Sequence, residues 1–236
     1  MPLFIQKPVK RKVNSIGVLP RVIEKLPNPR IADIGCGTGA GTLFLADKFK
    51  SKVRAVDFSQ EFLNELIIRA KKRGLEHLVE AIECDMGRLD WKPGTIDLLW
   101  SEGAAYNLTF KGALKAWRPL MADNGIAVIS ELSYFTSEVP KPVRDYWQNA
   151  YPAIGTESEN SHHANSSGFE VLGIYRLQSQ AWWDNYYGPL KENAESFRRS
   201  DDNIMQSVIT EIEEEMTLFE EYGKYYGYSY YILKAS

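Results

Sequence analysis

Short apolar runs alternate with amphipathic segments through the first 132 residues of the chain. Apolar residues at every third or fourth position are typical of helices, and short runs of Val, Ile and Leu are typical of strands. Because these runs lack strict alternation, we expect strands that are buried on both faces of a parallel sheet. The predicted helices are Val18–Leu26, Ala40–Phe49, Glu61–Lys72 and Lys111–Trp117, and the predicted strands are Arg30–Ile34, Val53–Asp57, Leu78–Cys84, Ile96–Trp100 and Ile126–Leu132.

The alternation breaks in the second half of the chain. Helices are predicted there at Val143–Ala150 and Asn203–Tyr222, strands at Phe169–Gln178 and Gly227–Lys234, and an aromatic loop at Trp182–Tyr187. No change in composition marks a linker, so we predict one domain over residues 1–236. All 13 tyrosines follow residue 105, which makes the two halves chemically different.

Composition narrows the class of function. A chain of 236 residues that is 44% hydrophobic can bury a core, which excludes global disorder. The net charge of −3 and the single short basic cluster, Lys7–Lys12, argue against nucleic acid as a partner. The sequence lacks an apolar run of about 18 residues, so we expect no membrane span.

The cysteines and histidines predict neither disulfides nor a metal centre. Cys36 and Cys84 lie in a predicted loop and a predicted buried strand, so we expect a reducing compartment and a cytoplasmic location. His162 and His163 are adjacent and lack a spaced third ligand, so no metal site is predicted. A homodimer is compatible with the sequence, which does not specify one.

A glycine-rich loop follows the first predicted strand. Gly35, Gly37 and Gly39 allow a sharp turn and close approach of a ligand to the backbone, and the next helix offers its free N–H groups. Asp57 is the last residue of the second predicted strand, 22 residues after Gly35. A carboxylate at this position can accept hydrogen bonds from both hydroxyls of a ribose. The string Gly35, Gly37, Ala40 also satisfies G-x-G-x-x-A, so a dinucleotide is an alternative ligand.

Asp33 bears on the choice between these ligands. It lies two residues before Gly35, where its charge would repel a pyrophosphate but could hold an ammonium group, directly or through water. An amino-acid-like cofactor, S-adenosylmethionine, is therefore favoured over a nicotinamide dinucleotide.

The motifs DIGCGTG, AVD and ECDM follow the first three predicted strands in order. This set resembles the class I S-adenosylmethionine-dependent methyltransferases, in the small-molecule branch that includes quinone and sterol C-methyltransferases (methyltransferase type 11). The resemblance covers Ile31–Leu132. It implies an α/β, Rossmann-like, doubly wound, mostly parallel seven-stranded sheet with an antiparallel C-terminal strand pair and helical and aromatic lid insertions. The implied parts are an N-terminal arm and helix (1–28), a cofactor-binding half (29–133) and a substrate-side half (134–236).

The resemblance also implies roles for single residues. Asp57 would hold the ribose with Phe58 against the adenine, and Asp85 would accept from the adenine amino group with Met86 beside the ring. Asp90 stands where the family commonly has a proline in the loop that follows the third strand. The remaining cofactor-binding residues would line the methionine and ribose side: Asp33, Gly35, Cys36, Gly37, Gly39 and Ser101.

Residues after the fourth and fifth predicted strands are candidates to meet the methyl acceptor, because sites of open α/β sheets lie at the carboxyl ends of the strands. Glu102 and Tyr106 are the predicted catalytic residues, although Glu102 could instead accept backbone N–H groups. Glu131 and Tyr134 are predicted to bind substrate. The alternatives are that Glu131 is a solvated loop carboxylate and that Tyr134 is a packing residue. Asn107 is predicted to cap the following helix.

Aromatic residues are concentrated at Trp182–Tyr187. Trp182, Trp183 and Tyr186 are predicted to wall the substrate pocket as a lid, with packing against the sheet as the alternative. Together with the carboxylates Glu102 and Glu131, they favour an acceptor that bears an amine or is flat and partly apolar.

The sequence thus predicts methyl transfer from S-adenosylmethionine, with S-adenosylhomocysteine as product, to an unidentified small molecule. Two alternatives remain open: an NAD(P)-dependent oxidoreductase, which shares the glycine loop and Asp57, and a non-catalytic S-adenosylmethionine-binding module.

Overall fold

A computed structural model describes residues 26–198 and 202–236. The predicted helix Val18–Leu26 and the basic cluster lie, except for Leu26, outside the described residues. The helices are α1 (Ala40–Phe49), α2 (Gln60–Lys72), α3 (Phe110–Trp117), α4 (Lys141–Ala150), α5 (Glu157–Ser166), α6 (Ser179–Trp182), α7 (Gly188–Phe197) and α8 (Asn203–Tyr222). The strands are β1 (Ile31–Ile34), β2 (Val53–Asp57), β3 (Val79–Glu83), β4 (Ile96–Ser101), β5 (Met121–Tyr134), β6 (Gly155–Thr156), β7 (Phe169–Arg176) and β8 (Tyr226–Ala235).

The strands form one mixed sheet in the order β3-β2-β1-β4-β5-β8-β7, and β6 pairs with β5. Strands β1 to β5 are parallel, while β8 runs antiparallel to both β5 and β7. The predicted Rossmann-like class and its antiparallel C-terminal pair are therefore confirmed. The described sheet has eight strands, not the predicted seven, because the two-residue β6 is too short to leave an apolar pattern in the sequence.

Two predictions of local structure are wrong. The aromatic segment Trp182–Tyr187 is helical, since α6 continues through a π-helical turn, Trp183–Tyr187, into α7. Cys84 is only partly buried, because it follows the edge strand β3, whose residues are half-buried or exposed. The polar stretch 157–166 forms the helix α5. A capping box between Thr156 and Glu159 stabilises the N-terminus of this helix.

The reversal of strand order at β1 and β4 positions the candidate site. β1 has β2 on one side and β4 on the other, so the connections after β1 and β4 leave the same carboxyl edge in opposite directions. Apolar residues of the two strands anchor this edge, with Ala32 and Ile34 packing in one cluster and Ile31 and Leu98 in another.

A separate core lies among the helices of the C-terminal half. It joins Leu132 and Tyr226 of the sheet to residues of α4, α8 and the π-helical turn. Its aromatic side chains make close ring contacts, among them Trp182 with Phe219 at 4.4 Å between ring centroids. The helical additions are thus packed onto the sheet through their own apolar cluster.

A buried polar network ties α5 to the antiparallel part of the sheet. The Asn160 amide donates to the Ser133 Oγ and to the Tyr231 hydroxyl, each at 3.1 Å. Those two hydroxyl oxygens lie 2.8 Å apart and share a hydrogen bond. Because all three side chains are buried, their polar atoms have few other ways to be satisfied.

Replacing Asn160 by Ala should lower the free energy of unfolding by about 1–3 kcal/mol, because two buried hydroxyls lose a donor. Urea unfolding followed by circular dichroism measures this change. Asn165→Ala, at an exposed position of the same helix, is the control and should change stability by less than about 0.5 kcal/mol. Equal losses in both variants would contradict a structural role for the network.

Candidate functional site

A tight loop joins β1 to α1 at the carboxyl edge of the sheet. The N–H groups of Gly35 and Cys36 both donate to the Val56 carbonyl of β2, at 2.8 and 2.9 Å. Gly35 and Gly37 have φ values of 74° and 53°, which glycine adopts without steric cost. A Cβ on Gly35 would lie 2.2 Å from the Ala104 Cβ, whereas a Cβ on Gly37 would meet no described atom within 4 Å. Packing therefore requires Gly35, and Gly37 leaves open space where a ligand can approach the backbone.

Asp57 is fixed at the end of β2 by two backbone donors. Its Oδ2 accepts from the Gly37 N–H at 2.8 Å, and its Oδ1 accepts from the Ser59 N–H at 3.0 Å. Each carboxylate oxygen retains capacity for a further hydrogen bond. The neighbouring Phe58 side chain is 53% exposed, which is unusual for so large an apolar group. The pair offers hydrogen-bond acceptors next to an uncovered aromatic ring.

Asp33 lies beneath the same loop and is buried. Thr42 donates its hydroxyl to the Asp33 Oδ2 at 2.6 Å. Burial, and to a smaller extent the charge of Glu102, raises the pKa of Asp33 to about 7. The nearby Trp100 Nε1 is buried without a hydrogen-bond partner in the described residues. A cation at this position would stabilise the ionised form of Asp33.

Asp85 and Met86 follow β3 at the rim of the site. Asp85 is exposed, its Oδ1 accepts from the Gly87 N–H at 2.8 Å, and Arg88 lies 3.7 Å from its Oδ2. The Met86 Cε is 3.6 Å from the position that a Cβ on Gly35 would occupy. Both residues are thus brought to the carboxyl edge, in a loop where Asp90 stands at the position of the proline common in the resembled family.

Three other predicted cofactor residues have structural contacts. Cys36 packs among core residues of α1 and α2, and burial raises the pKa of its thiol. Ser101 is buried and donates its hydroxyl to the Ile34 carbonyl at 2.9 Å. A Cβ on Gly39 would lie 2.1 Å from the Leu66 Cδ1. These side chains shape the loop and the strand ends, and they do not present polar groups to open space.

Glu102 follows β4 and is bound to the antiparallel part of the sheet. The Tyr230 hydroxyl donates to the Glu102 Oε1 at 2.5 Å. The next residue, Gly103, donates its N–H to the Ser130 Oγ of β5 at 2.7 Å. The connection after β4 is therefore anchored to β5 and β8. The predicted cap residue Asn107 instead donates to the Ala104 carbonyl, and Thr109 caps α3.

Glu131 is a buried carboxylate on β5. Only 1% of the residue is exposed, and neither carboxylate oxygen has a hydrogen-bond partner in the described part of the chain. Burial raises the pKa of Glu131 to about 8. The Tyr151 hydroxyl faces this carboxylate and opposes the rise in pKa, but it too lacks a hydrogen bond of normal geometry. The Tyr106 ring packs edge-on against Tyr151, with centroids 6.2 Å apart.

The predicted aromatic lid is only partly open to a ligand. Trp182 is 3% exposed and stacks on Tyr187 with centroids 5.6 Å apart, so it belongs to the core. Trp183 is partly buried, and its ring centroid lies 5.1 Å from that of Tyr187. Tyr134 is also partly buried at the edge of this cluster, and burial raises the pKa of its hydroxyl. The Tyr186 side chain lies outside the described residues.

Sequence reasoning missed Thr42, Tyr151 and Tyr230. Each interacts with a carboxylate that was predicted for the site. The sequence offers only a weak indication of Tyr230, namely its position in a predicted strand. Thr42 and Tyr151 lie in or beside helices, where no pattern of residues predicts which distant carboxylate they approach.

Two absences concern the described residues only. Residues 26–198 and 202–236 contain no helix both long enough and apolar enough to cross a bilayer. The same residues contain no group of three or more His, Cys, Asp or Glu side chains that could hold a metal ion.

Comparison with known proteins agrees with this geometry. Residues 31–125 match a family model described as a methyltransferase domain. The matched residues, from β1 to the first part of β5, therefore form a methyltransferase domain, in agreement with the family predicted from the sequence.

Individual relatives are distant. A ribosomal protein arginine N-methyltransferase of Schizosaccharomyces pombe is 30% identical over 131 residues, which cover 51% of this chain and 24% of that protein. A sarcosine/dimethylglycine N-methyltransferase of Halorhodospira halochloris is 29% identical over 76 residues, which cover 32% of this chain and 27% of that protein. The chain thus matches about a quarter of the length of either relative.

The fold has close structural neighbours. A methyltransferase of Geobacter sulfurreducens, solved in complex with S-adenosylhomocysteine, superimposes with a TM-score of 0.79. The match covers 95% of this chain and 92% of that one at 17% sequence identity, so it demonstrates a shared fold.

The buried Glu131 carboxylate should make the stability of this chain depend on pH. The raised pKa, about 8 against the usual 4.5, means that the folded chain retains a proton that the unfolded chain loses. Stability should therefore fall as pH rises from about 4.5 to 8, by up to about 1.4 kcal/mol per pH unit.

Glu131→Gln removes this titration, so in the absence of ligands the variant should gain stability over wild type at pH 8 relative to pH 5.5. Urea unfolding at the two pH values measures the difference. Glu138→Gln, at an exposed position, should behave like wild type. A gain for Glu131→Gln that is the same at both pH values would contradict the assignment.

Proposed function

We propose that this chain transfers a methyl group from S-adenosylmethionine to a small-molecule acceptor. The observation that carries the proposal is the pairing of Asp57 with the Gly37 N–H beside open space. This pairing fixes a carboxylate next to a backbone that a ligand can reach. Asp57 would accept from the ribose hydroxyls, and Phe58 would cover the adenine.

Asp33 and Asp85 extend the cofactor site in two directions. Asp33 is a buried carboxylate, whose acceptor oxygens suit the ammonium group of the cofactor, and the neighbouring Trp100 Nε1–H is an unpaired donor that suits an acceptor such as the cofactor's carboxylate. Asp85 is exposed at the rim, where the adenine amino group could donate to it. A nicotinamide dinucleotide would leave both carboxylates without a role, so S-adenosylmethionine fits the residues better.

When bound, the cofactor supplies an electrophilic methyl carbon, and the chain aligns the acceptor with it. Alignment of this kind can contribute about 7–11 kcal/mol to catalysis. We assign the acceptor side to Glu102, Tyr106 and Glu131, with Tyr134 and Trp183 as aromatic walls. Glu102 and Tyr106 follow β4, Glu131 and Tyr134 lie near the carboxyl end of β5, and Trp183 belongs to the neighbouring aromatic cluster. The Halorhodospira relative, named for methylating sarcosine and dimethylglycine, supports a small acceptor.

Isothermal titration calorimetry with S-adenosylmethionine, S-adenosylhomocysteine and NAD tests the cofactor assignment. We expect both sulfur compounds to bind and NAD not to bind. Incubation with metabolite extracts should then release S-adenosylhomocysteine from S-adenosylmethionine. Binding without release under broad sampling would favour a non-catalytic module, and binding of NAD alone would overturn the proposal.

Asp57→Asn should weaken S-adenosylmethionine binding by about tenfold or more, because an amide offers one acceptor oxygen where the carboxylate offers two. The same calorimetry measures the loss. Asp123→Asn, at an exposed position where β5 begins, is a matched control and should bind as wild type does. Equal affinities in all three proteins would remove Asp57 from the site.

Trp183→Ala should reduce S-adenosylhomocysteine release from an active extract while cofactor affinity stays within about twofold, because only the acceptor side loses a wall. Ile204→Ala, at an exposed position of α8, should alter neither quantity. A parallel loss of release and of cofactor affinity would argue against an acceptor-side role for Trp183.

A further inference from the structure

We propose that Glu131 and Tyr151 form a subsite for a protonated amine of the methyl acceptor, and that Glu131 takes the proton that this amine must lose before methylation. The proposal rests on the methyltransferase function proposed above. It adds the charge of the acceptor, the acceptor atom and the group that accepts the proton.

The location of Glu131 suits an acceptor group. Ile129 of β5 pairs with Ser101, the last residue of β4, so Glu131 lies beyond the carboxyl end of β4. The connection after β4 links this position to the glycine loop. Its Ala104 contacts Gly35, and two residues later Tyr106 packs against Tyr151. A ligand bound to Glu131 would therefore be separated from the glycine loop, where the cofactor would contact the backbone, by the connection after β4.

The carboxylate lacks a counter-charge. Both of its oxygens are buried and unpaired, and no lysine or arginine is among the described groups that shift its pKa. A buried carboxylate without a partner is costly, so an unpaired carboxylate in a native protein calls for an explanation. A ligand that brings a positive charge would supply one.

The surroundings of Glu131 favour a cation with N–H donors. Tyr151 from the end of α4 and Tyr106 from the β4 connection lie on one side. Tyr231 of β8 also senses the charge of Glu131, and the Glu157–Arg176 ion pair lies next to the neighbouring Ser229. Because Arg176 is already bound to Glu157, it does not neutralise Glu131. The Glu131 carboxylate and the Tyr151 hydroxyl oxygen can both accept from N–H groups, which matches an ammonium group.

The proton balance assigns the role of Glu131. An ammonium nitrogen has no lone pair, so it must first transfer a proton to the ionised Glu131. The free amine then forms the new N–C bond, while the methyl–sulfur bond breaks and its electron pair stays on sulfur. The positive charge ends on the methylated nitrogen, and the proton on Glu131 leaves to solvent after the product dissociates. Atoms and charge balance without a further reagent.

Binding of a permanent cation tests the subsite without requiring the natural acceptor. The probes are choline and 3,3-dimethylbutan-1-ol, which have the same shape but differ by the charge on one atom, and benzyltrimethylammonium as a larger cation. Each is titrated at pH 7 into full-length protein saturated with S-adenosylhomocysteine. Calorimetry in two buffers of different ionisation heat gives the number of protons released.

The cations should bind at least about tenfold more tightly than the neutral alcohol. A group with a pKa of about 8 is about nine-tenths protonated at pH 7, so cation binding should release close to one proton, and almost none at pH 9.5. Glu131→Gln should abolish the release and the preference for the cations, while Glu138→Gln should retain both. Tyr151→Phe should lower cation affinity with proton release retained.

The outcomes separate this proposal from the proposed function. Failure to bind S-adenosylhomocysteine would contradict the function itself. Normal S-adenosylhomocysteine binding with equal affinity for choline and the alcohol would overturn the amine subsite alone. Proton release that persists in Glu131→Gln would assign the titration to another group and would also overturn it. The wild-type proton count decides the question even if the Gln variant does not fold.

Discussion

The contact between Asp57 and the Gly37 N–H is the interaction on which the cofactor edge depends. It joins the end of β2 to the loop after β1, and the second oxygen of Asp57 holds the start of α2 through Ser59. A single carboxylate therefore sets the distance between the two connections that would hold a nucleoside. The close contact of Gly35 with Ala104 also fixes the position of the connection after β4 relative to the glycine loop.

The cofactor half was predictable from sequence because its chemistry is local. The glycines follow directly on β1, and Asp33 and Asp57 lie near or at the carboxyl ends of β1 and β2, so their places in the chain fix their places at the sheet edge. The strands β1 and β2 and the helix α1 lie where their apolar pattern predicts them. The resemblance to methyltransferases covers the same residues, and the matching family model begins with β1.

The acceptor half was less predictable because its contacts are distant in sequence. Glu131 was a candidate from its place near the carboxyl end of a predicted strand, but Tyr151, whose hydroxyl faces it, is twenty residues away at the end of a helix. Trp182 was predicted to face a ligand, yet it is buried against Phe219 and Tyr228. An aromatic run in a sequence carries no information about which rings face a core and which face a ligand.

Hydrogen–deuterium exchange with and without S-adenosylhomocysteine tests the central claim most directly. If Asp57 and the glycine loop hold the nucleoside, the ligand should slow exchange of the backbone amides at residues 35–39 and 57–60. Residues 169–176 of β7, at the far edge of the sheet, should exchange at the same rate in both samples. Saturating binding that leaves residues 35–39 and 57–60 unchanged would contradict the account.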